Sequence, residues 1–294
     1  MEITAYLAES KKRVDECLET LLPPGNQTPA TIHKAMRHSV FAGGKRVRPI
    51  LVLASGESLS GNRDALLHVG AAIEMMHTYS LIHDDLPALD NDDLRRGIPT
   101  CHKVFGEAMA ILAGDALMTR CYQLLTEIPN VPDSAKVSIT REISYATGTV
   151  EGMVGGQVAD LESEGKAITP AELEYIHRSK TGALLKASVR CGALAAGASN
   201  AQLDALSRFG AKIGLVFQIV DDILDVTSSS EVLGKTAGKD EKVKKATYPA
   251  LYGIEASRQK ARDLVAAAME DIRDFGEEAD ALRSIAQFVI SRTA

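Results

Sequence analysis

Two acidic clusters hold most of the chemistry open to this 294-residue chain. One reads Asp84-Asp85-Leu86-Pro87-Ala88-Leu89-Asp90-Asn91-Asp92-Asp93-Leu94-Arg95-Arg96-Gly97; the other reads Asp221-Asp222-Ile223-Leu224-Asp225. Each follows an apolar stretch, residues 79–82 and 215–220. Carboxylates this crowded repel one another and take up protons unless positive charge sits among them. Their hard oxygens suit a divalent cation, and Mg²⁺ in turn suits a substrate that brings phosphate oxygens. The chain is therefore a candidate enzyme.

Helix geometry separates the two clusters. At about 100° per residue, Asp221 and Asp225 lie about 40° apart on one face, with Asp222 about 100° from Asp221. Unpaired, the two would destabilise the helix. Either a metal or a Lys or Arg from another helix can answer that need. Asp84 and Asp90 would stand about 120° apart on a continuous helix, too far to share an ion. Pro87 disfavours helix at Leu86, and a bend there lets Asp90 swing back toward Asp84. A helix C-terminus also favours a cation, and Arg95 and Arg96 follow closely enough to hold phosphates. The plainer alternative for this cluster is a solvated acidic loop; Asp92 and Asp93 are expected to face solvent or bond locally.

The elements that must position these residues are helical. Apolar spacing predicts helices over 3–22, 30–41, 49–60, 63–86, 103–127, 133–160, 170–195, 200–229, 240–271 and 276–291. Glycine, proline and asparagine supply the breaks. No strand-length alternation, repeat or linker interrupts them, so one all-α unit over 1–294 is expected.

Composition agrees. Hydrophobic residues make up 45% of the chain, with no Trp and 4% aromatics, which favours close-packed helices. A net charge of −6 argues against nucleic-acid binding. Cys17, Cys101, Cys121 and Cys191 form no close pair, which fits a reducing compartment rather than a zinc or redox site. The N-terminus lacks a signal-peptide core and no apolar run reaches about 20 residues. A cytoplasmic protein without stable membrane insertion is expected.

With these residues in view, the chain resembles the trans-prenyl diphosphate synthases, in particular the bacterial-type farnesyl diphosphate synthases. The resemblance runs from Gly43-Gly44-Lys45-Arg46-Val47-Arg48-Pro49 to Lys235-Thr236-Ala237-Gly238-Lys239-Asp240. Between them lie both aspartate motifs, Arg95-Arg96-Gly97, Gly156-Gln157, Lys180-Thr181 and Phe217-Gln218. It implies a bundle of long antiparallel helices around a deep cavity, a homodimer, and about three Mg²⁺ ions around bound diphosphate. It further implies condensation of isopentenyl diphosphate with dimethylallyl or geranyl diphosphate to the C15 product; the alternative within the family is C20.

The resemblance also assigns roles. Asp84, Asp90 and Asp221 look like Mg²⁺ ligands, with Asp85, Asp222 and Asp225 in support. Arg95, Lys180 and Lys235 match the grip on the allylic diphosphate. Lys45, Arg48, His77 and Arg96 match the isopentenyl diphosphate site. Thr181 and Gln218 match polar positions near the reacting carbon. Tyr79 and Ser80, five and four positions before Asp84, match the floor that limits chain length. Local physics is compatible: the glycine pair lets backbone approach an anion, Arg48 before Pro49 is expected extended, and His77 lies about 20° from Asp84 in helical projection. The family often ends in a basic tail that helps close the site; the sequence here ends Ser291-Arg292-Thr293-Ala294, with one basic residue, so either closure differs or the sequence is cut short.

Two other enzyme or metal-protein readings share parts of this pattern. Glu74-x-x-His77 and Glu174-x-x-His177 have the spacing of a carboxylate-bridged di-iron bundle, which has no use for two aspartate clusters and their arginines. A class I terpene cyclase shares the acidic chemistry but normally carries a different second motif. A silent helical partner subunit is the non-enzyme alternative.

Overall fold

The computed structural model describes residues 2–227 and 247–292. Helices dominate: α1 Ile3–Leu21, α2 Ala30–Val40, α3 Val47–Glu57, α4 Arg63–Asp84, α5 Cys101–Phe105, α6 Glu107–Thr126, α7 Asp133–Thr147, α8 Met153–Ser163 and α9 Pro170–Ile176. A π-helical turn, His177–Gly182, joins α9 to α10 Ala183–Ala195. Then come α11 Asn200–Thr227, α12 Tyr248–Tyr252, α13 Ile254–Asp271 and α14 Asp280–Ser291. Among the described residues the only sheet is a two-residue ladder, Leu94–Arg95 against Ile98–Pro99.

Several helix boundaries depart from the periodicity reading, each for a local reason. The segment 63–86 stops at Asp84, because Pro87 has no N–H to continue the ladder. The segment 103–127 is cut at Gly106, whose φ of 84° is left-handed. The segment 133–160 is two helices, broken where Gly148 and Gly152 turn extended. Gly253, at φ 82°, divides α12 from α13, and the predicted start of that segment at 240 lies outside the described residues. In 170–195 the chain remains helical but changes pitch at the π turn. Its start is set by a capping box between Thr169 and Glu172.

Two apolar clusters form the interior. One gathers α1, α2, α4, α6 and α7 around Leu66, Met75, Met76, Leu117 and Leu124. The other gathers α11, α13 and α14 around Phe209, Ile213, Val216 and Leu282. α3 and α10 feed both: Val52, Leu53, Leu184 and Cys191 face the first, while Ile50, Leu51, Leu185 and Val189 face the second. These two helices lie close because Gly192 rests on the backbone at Val52, where a Cβ would overlap. The ends of α4 and α11 are thereby brought toward one side, where the acidic motifs lie.

Candidate active site

The first motif is a folded turn rather than a solvated run. Asp85 caps α4, the Leu86 N–H bonds to His83, and the Asp90 N–H returns to the Asp84 carbonyl at 2.8 Å. Asn91 at φ 50° reverses the chain, and the Asp92 N–H reaches the Asp85 carbonyl at 3.2 Å. Burial pushes the Asp84 carboxyl up to about 6, opposed by the Lys180 charge and reinforced by Asp90 and Asp85. Two carboxylates and a lysine from a distant helix thus share one space. Asp92 does not face solvent: its side chain is largely buried, 3.8 Å from Arg95. Asp93 is exposed and pairs with Lys103 at 3.0 Å.

A tight hairpin aims the two arginines apart. Arg96 and Gly97 take its central positions with φ of 55° and 77°, as a type I′ turn requires. Arg95 folds onto Asp85, its Nε donating at 2.8 and 2.9 Å. Arg96 crosses to the Gly43 carbonyl and lies flat on Gly44, whose φ of 121° and lack of Cβ admit it.

That crossing adds Arg96 to a cluster of basic groups about His77. Lys45 and Arg48 flank Arg46, and Arg48 lies in the first turn of α3 rather than in extended backbone. Pro49 there needs no N–H partner, and it is held against Gly70 of α4. Burial draws the Arg48 guanidinium down to about 10 despite the pull of Glu74 and Asp221, and its Nε has no hydrogen-bond partner. Burial also lowers His77 well below its usual value, and Arg48, Arg96, Arg95 and Arg46 lower it further, so it is neutral here. Concentrated cationic donors with a buried N–H unpaired are suited to an anion.

Arg46 itself is structural. Its guanidinium bonds Asp15 at 2.8 Å, Glu74 at 2.7 Å and the Val40 carbonyl at 2.7 Å. Glu74 is therefore spent, and Glu174 pairs with Arg178. Among the described residues no three His, Cys, Asp or Glu side chains gather closely enough to hold an ion alone. The di-iron arrangement is absent from them.

The second motif lies on the last turns of α11. Asp221 is half-buried and meets Arg292 at 3.2 Å, with the guanidinium also 4.7 Å over the Phe217 ring. Asp222 accepts from His177 Nε2 at 2.9 Å and from the Tyr248 N–H at 2.8 Å. Asp225 is exposed, so burial of this face stops short of it. The alternative of a Lys or Arg on the second cluster is thus partly realised, in Arg292 at Asp221.

The π turn carries Lys180 and Thr181. Lys180 Nζ bonds Asp160 of α8 at 2.7 Å. Gly156 lets α8 press against this turn: a Cβ there would lie 2.6 Å from the Lys180 Cα. Gly214 does the same toward α11, meeting the Gly182 Cα at 3.0 Å from a Cβ. Gln218 is half-buried one turn before Asp222. Tyr79 is half-buried between α4 and α6, edge-on to His83 at 5.0 Å, while the Ser80 hydroxyl donates to the His77 carbonyl at 2.8 Å. Lys235 lies outside the described residues. Asp15, Asp160, His177 and Tyr248 carried no motif signal tying them to these partners; only the fold pairs them.

Mg²⁺ would fit this donor set. It binds through one or two carboxylates plus substrate phosphates and keeps water ligands, so a protein cage of three side chains is not required. The half-buried, crowded Asp84 supplies the need for a cation. An all-α bundle that sets acidic turns against a basic cluster has the make-up of a metal-assisted diphosphate enzyme of the isoprenoid-synthase type.

The comparisons agree. The polyprenyl synthetase family model matches residues 29–287. A farnesyl diphosphate synthase of Geobacillus stearothermophilus is 47% identical over 99% of this chain and 98% of its own. A geranylgeranyl diphosphate synthase of Cyanophora paradoxa is 47% identical over 99% and 96%. A solved FPP/GFPP synthase from Zymomonas mobilis superposes with a TM-score of 0.88 at 36% identity, over 98% of each chain. The chain belongs to the polyprenyl synthetase family, and it is a prenyltransferase.

Proposed function

We propose that the protein condenses isopentenyl diphosphate with dimethylallyl or geranyl diphosphate and releases farnesyl diphosphate. One observation carries the reading: Arg48 and Arg96 act on neutral His77, Lys45 and Arg48 act on Asp221, and Lys180 acts on Asp84. Basic groups acting on both acidic motifs are what coupling two diphosphates needs.

Asp84, Asp90 and Asp221 would hold Mg²⁺, with Asp85, Asp222 and Asp225 behind them. About three ions suit two diphosphates and this many carboxylates. The metal supplies charge neutralisation for the departing diphosphate. Arg95, Lys180 and Lys235 grip that group as negative charge grows on it. Lys45, Arg48, His77 and Arg96 hold isopentenyl diphosphate with its double bond toward the resulting allylic cation. Thr181 and Gln218 offer oxygens that stabilise the cation, and the apolar walls exclude water, which would quench it. The departing diphosphate accepts the proton lost after coupling, so no separate side-chain base is needed.

Tyr79 and Ser80 would form the floor that stops the product at C15. The equal identity to the Cyanophora C20 synthase favours one second reading, a longer product from the same chemistry. α3 and α10 serving both clusters support a single unit over 1–294. Exposed Ile111, Leu112, Val137 and Tyr145 on α6 and α7 support a homodimer. No helix among the described residues is long and apolar enough to cross a membrane, and a cytoplasmic location fits this chemistry. Incubation with Mg²⁺, labelled isopentenyl diphosphate and a C5 or C10 allylic diphosphate tests the whole. A C15 product is expected; no incorporation overturns the reading, and a C20 product overturns only the length.

A further inference from the structure

We infer that His177 is a positioning residue: it commits the Oδ2 of Asp222 to the protein and pins the π turn beneath Lys180. The sequence offered His177 only as part of a di-iron spacing that the fold does not build.

The three carboxylates of the second motif have different surroundings. Asp222 turns about 100° away from Asp221 around α11. One of its oxygens, Oδ2, takes both the His177 Nε2–H at 2.9 Å and the Tyr248 N–H at 2.8 Å. The His177 and Tyr248 rings stack at 5.6 Å with planes 17° apart. His177 is 7% exposed and Tyr248 4%. An ion competing for that oxygen would strip two donors and leave them buried without partners, at a cost of about 1–3 kcal/mol each. Asp221 pairs with Arg292 at 3.2 Å and lies within electrostatic reach of Lys45, and Asp225 is exposed.

The clasp joins three elements. His177 is the first residue of the π turn, Asp222 belongs to α11, and Tyr248 begins α12. π turns are rare and mostly single-turn insertions at functional sites. This one is held by glycine contacts at Lys180 and Gly182 and by the clasp at its first residue. The height of Lys180 against Asp84 follows from that first anchor. Loss of the clasp should therefore weaken the allylic diphosphate site and spare the isopentenyl site, whose residues lie on α3, α4 and the hairpin.

The inference rests on the prenyl-transfer reading for its kinetic arm alone. His177→Phe keeps the stack on Tyr248 and removes the donor, while His177→Gln restores an N–H near the Nε2 position. We expect His177→Phe to raise KM for the allylic diphosphate about tenfold or more and to leave KM for isopentenyl diphosphate within about twofold. His177→Gln should recover most of that loss. Asp221→Asn should raise the Mg²⁺ concentration for half-maximal rate about tenfold, and Asp222→Asn should leave it within about threefold, because Asn still accepts both N–H groups. In metal-free protein, the combined His177→Phe and Asp222→Ala change, which removes donor and acceptor in turn, should cost less stability than the sum of the two alone.

Equal loss at both KM values, an Asp222→Asn shift as large as that of Asp221→Asn, or additive stabilities would each overturn the inference. Should His177→Phe not fold, the Asp222→Asn and Asp221→Asn comparison decides it. Absence of turnover by the unaltered protein would instead refute prenyl transfer, and the metal-free stability cycle would still judge the clasp.

Discussion

The backbone N–H of Asp90 donates to the backbone carbonyl of Asp84 at 2.8 Å. On an uninterrupted helix these two residues would point about 120° apart. The bond closes a turn beyond Pro87 and directs both carboxylates into one space, where Asp84 is half-buried and feels Asp90, Asp85 and Lys180. Asp84→Asn is expected to lower kcat about a hundredfold or more. It should not lower the melting temperature of metal-free protein. A carboxyl raised to about 6 when folded holds more protons than the unfolded chain, so its ionisation costs stability as pH rises from about 4 to 6. Removing that cost stabilises the empty protein at neutral pH, which differential scanning calorimetry with chelator would show. A large fall in melting temperature would make Asp84 a structural residue.

His77 gives the opposite pH dependence. Its folded value lies well below 6.5, through burial and the surrounding arginines. The unfolded chain therefore binds the proton first as pH falls below about 6.5, and stability drops by about 1.4 kcal/mol per pH unit until the folded value is reached. His77→Gln should flatten this limb of the stability curve measured by urea titration without diphosphate. An unchanged slope would count against a neutral His77.

Gly156 sets the approach of α8 to the π turn. Gly156→Ala would place a Cβ 2.6 Å from the Lys180 Cα, a backbone atom that cannot swing aside. A loss of about 1–3 kcal/mol in stability is expected. KM for the allylic diphosphate should rise alongside it, because Lys180 moves with its backbone. Unaltered stability and kinetics would show that the two elements can part without consequence.

Glu74 separates a buried ion pair from a metal site. Glu74 and the Arg46 guanidinium are both nearly inaccessible and lie 2.7 Å apart. Glu74→Ala leaves the buried Arg46 with Asp15 and the Val40 carbonyl alone, so about 3 kcal/mol of stability should be lost. Iron content should remain negligible in either protein by elemental analysis. Stoichiometric iron lost on substitution would restore the di-iron reading.

Tyr79 stands edge-on to His83 at 5.0 Å, between α4 and α6. Tyr79→Ala removes an aromatic ring from the proposed end of the product channel. Products longer than C15 are expected by radiochromatography. An unchanged length would remove Tyr79 as the floor.

Much of this protein was written locally. The acidic motifs, the break at Pro87, the shared face of Asp221 and Asp225 and the all-helical character follow from residue types and spacing, because helical periodicity acts over a few residues. Glycine breaks inside long periodic segments were less legible: Gly106, Gly148 and Gly253 interrupt patterns whose apolar spacing continues across them. Extended backbone at Arg48 was the local expectation, and packing of Pro49 on Gly70 set it aside.

Partner choice belonged to the tertiary structure. Arg95 closes on Asp85 and Arg96 on Gly43, though they are neighbours in sequence. Arg292 reaches Asp221, and His177 reaches Asp222 rather than a metal. Each pairing depends on how far helices approach and which face they turn to one another. Those distances are set by glycine contacts and core packing between residues distant in sequence. The sequence determined which groups could do chemistry and which of them share a helix face; only the packed fold decided which charges meet.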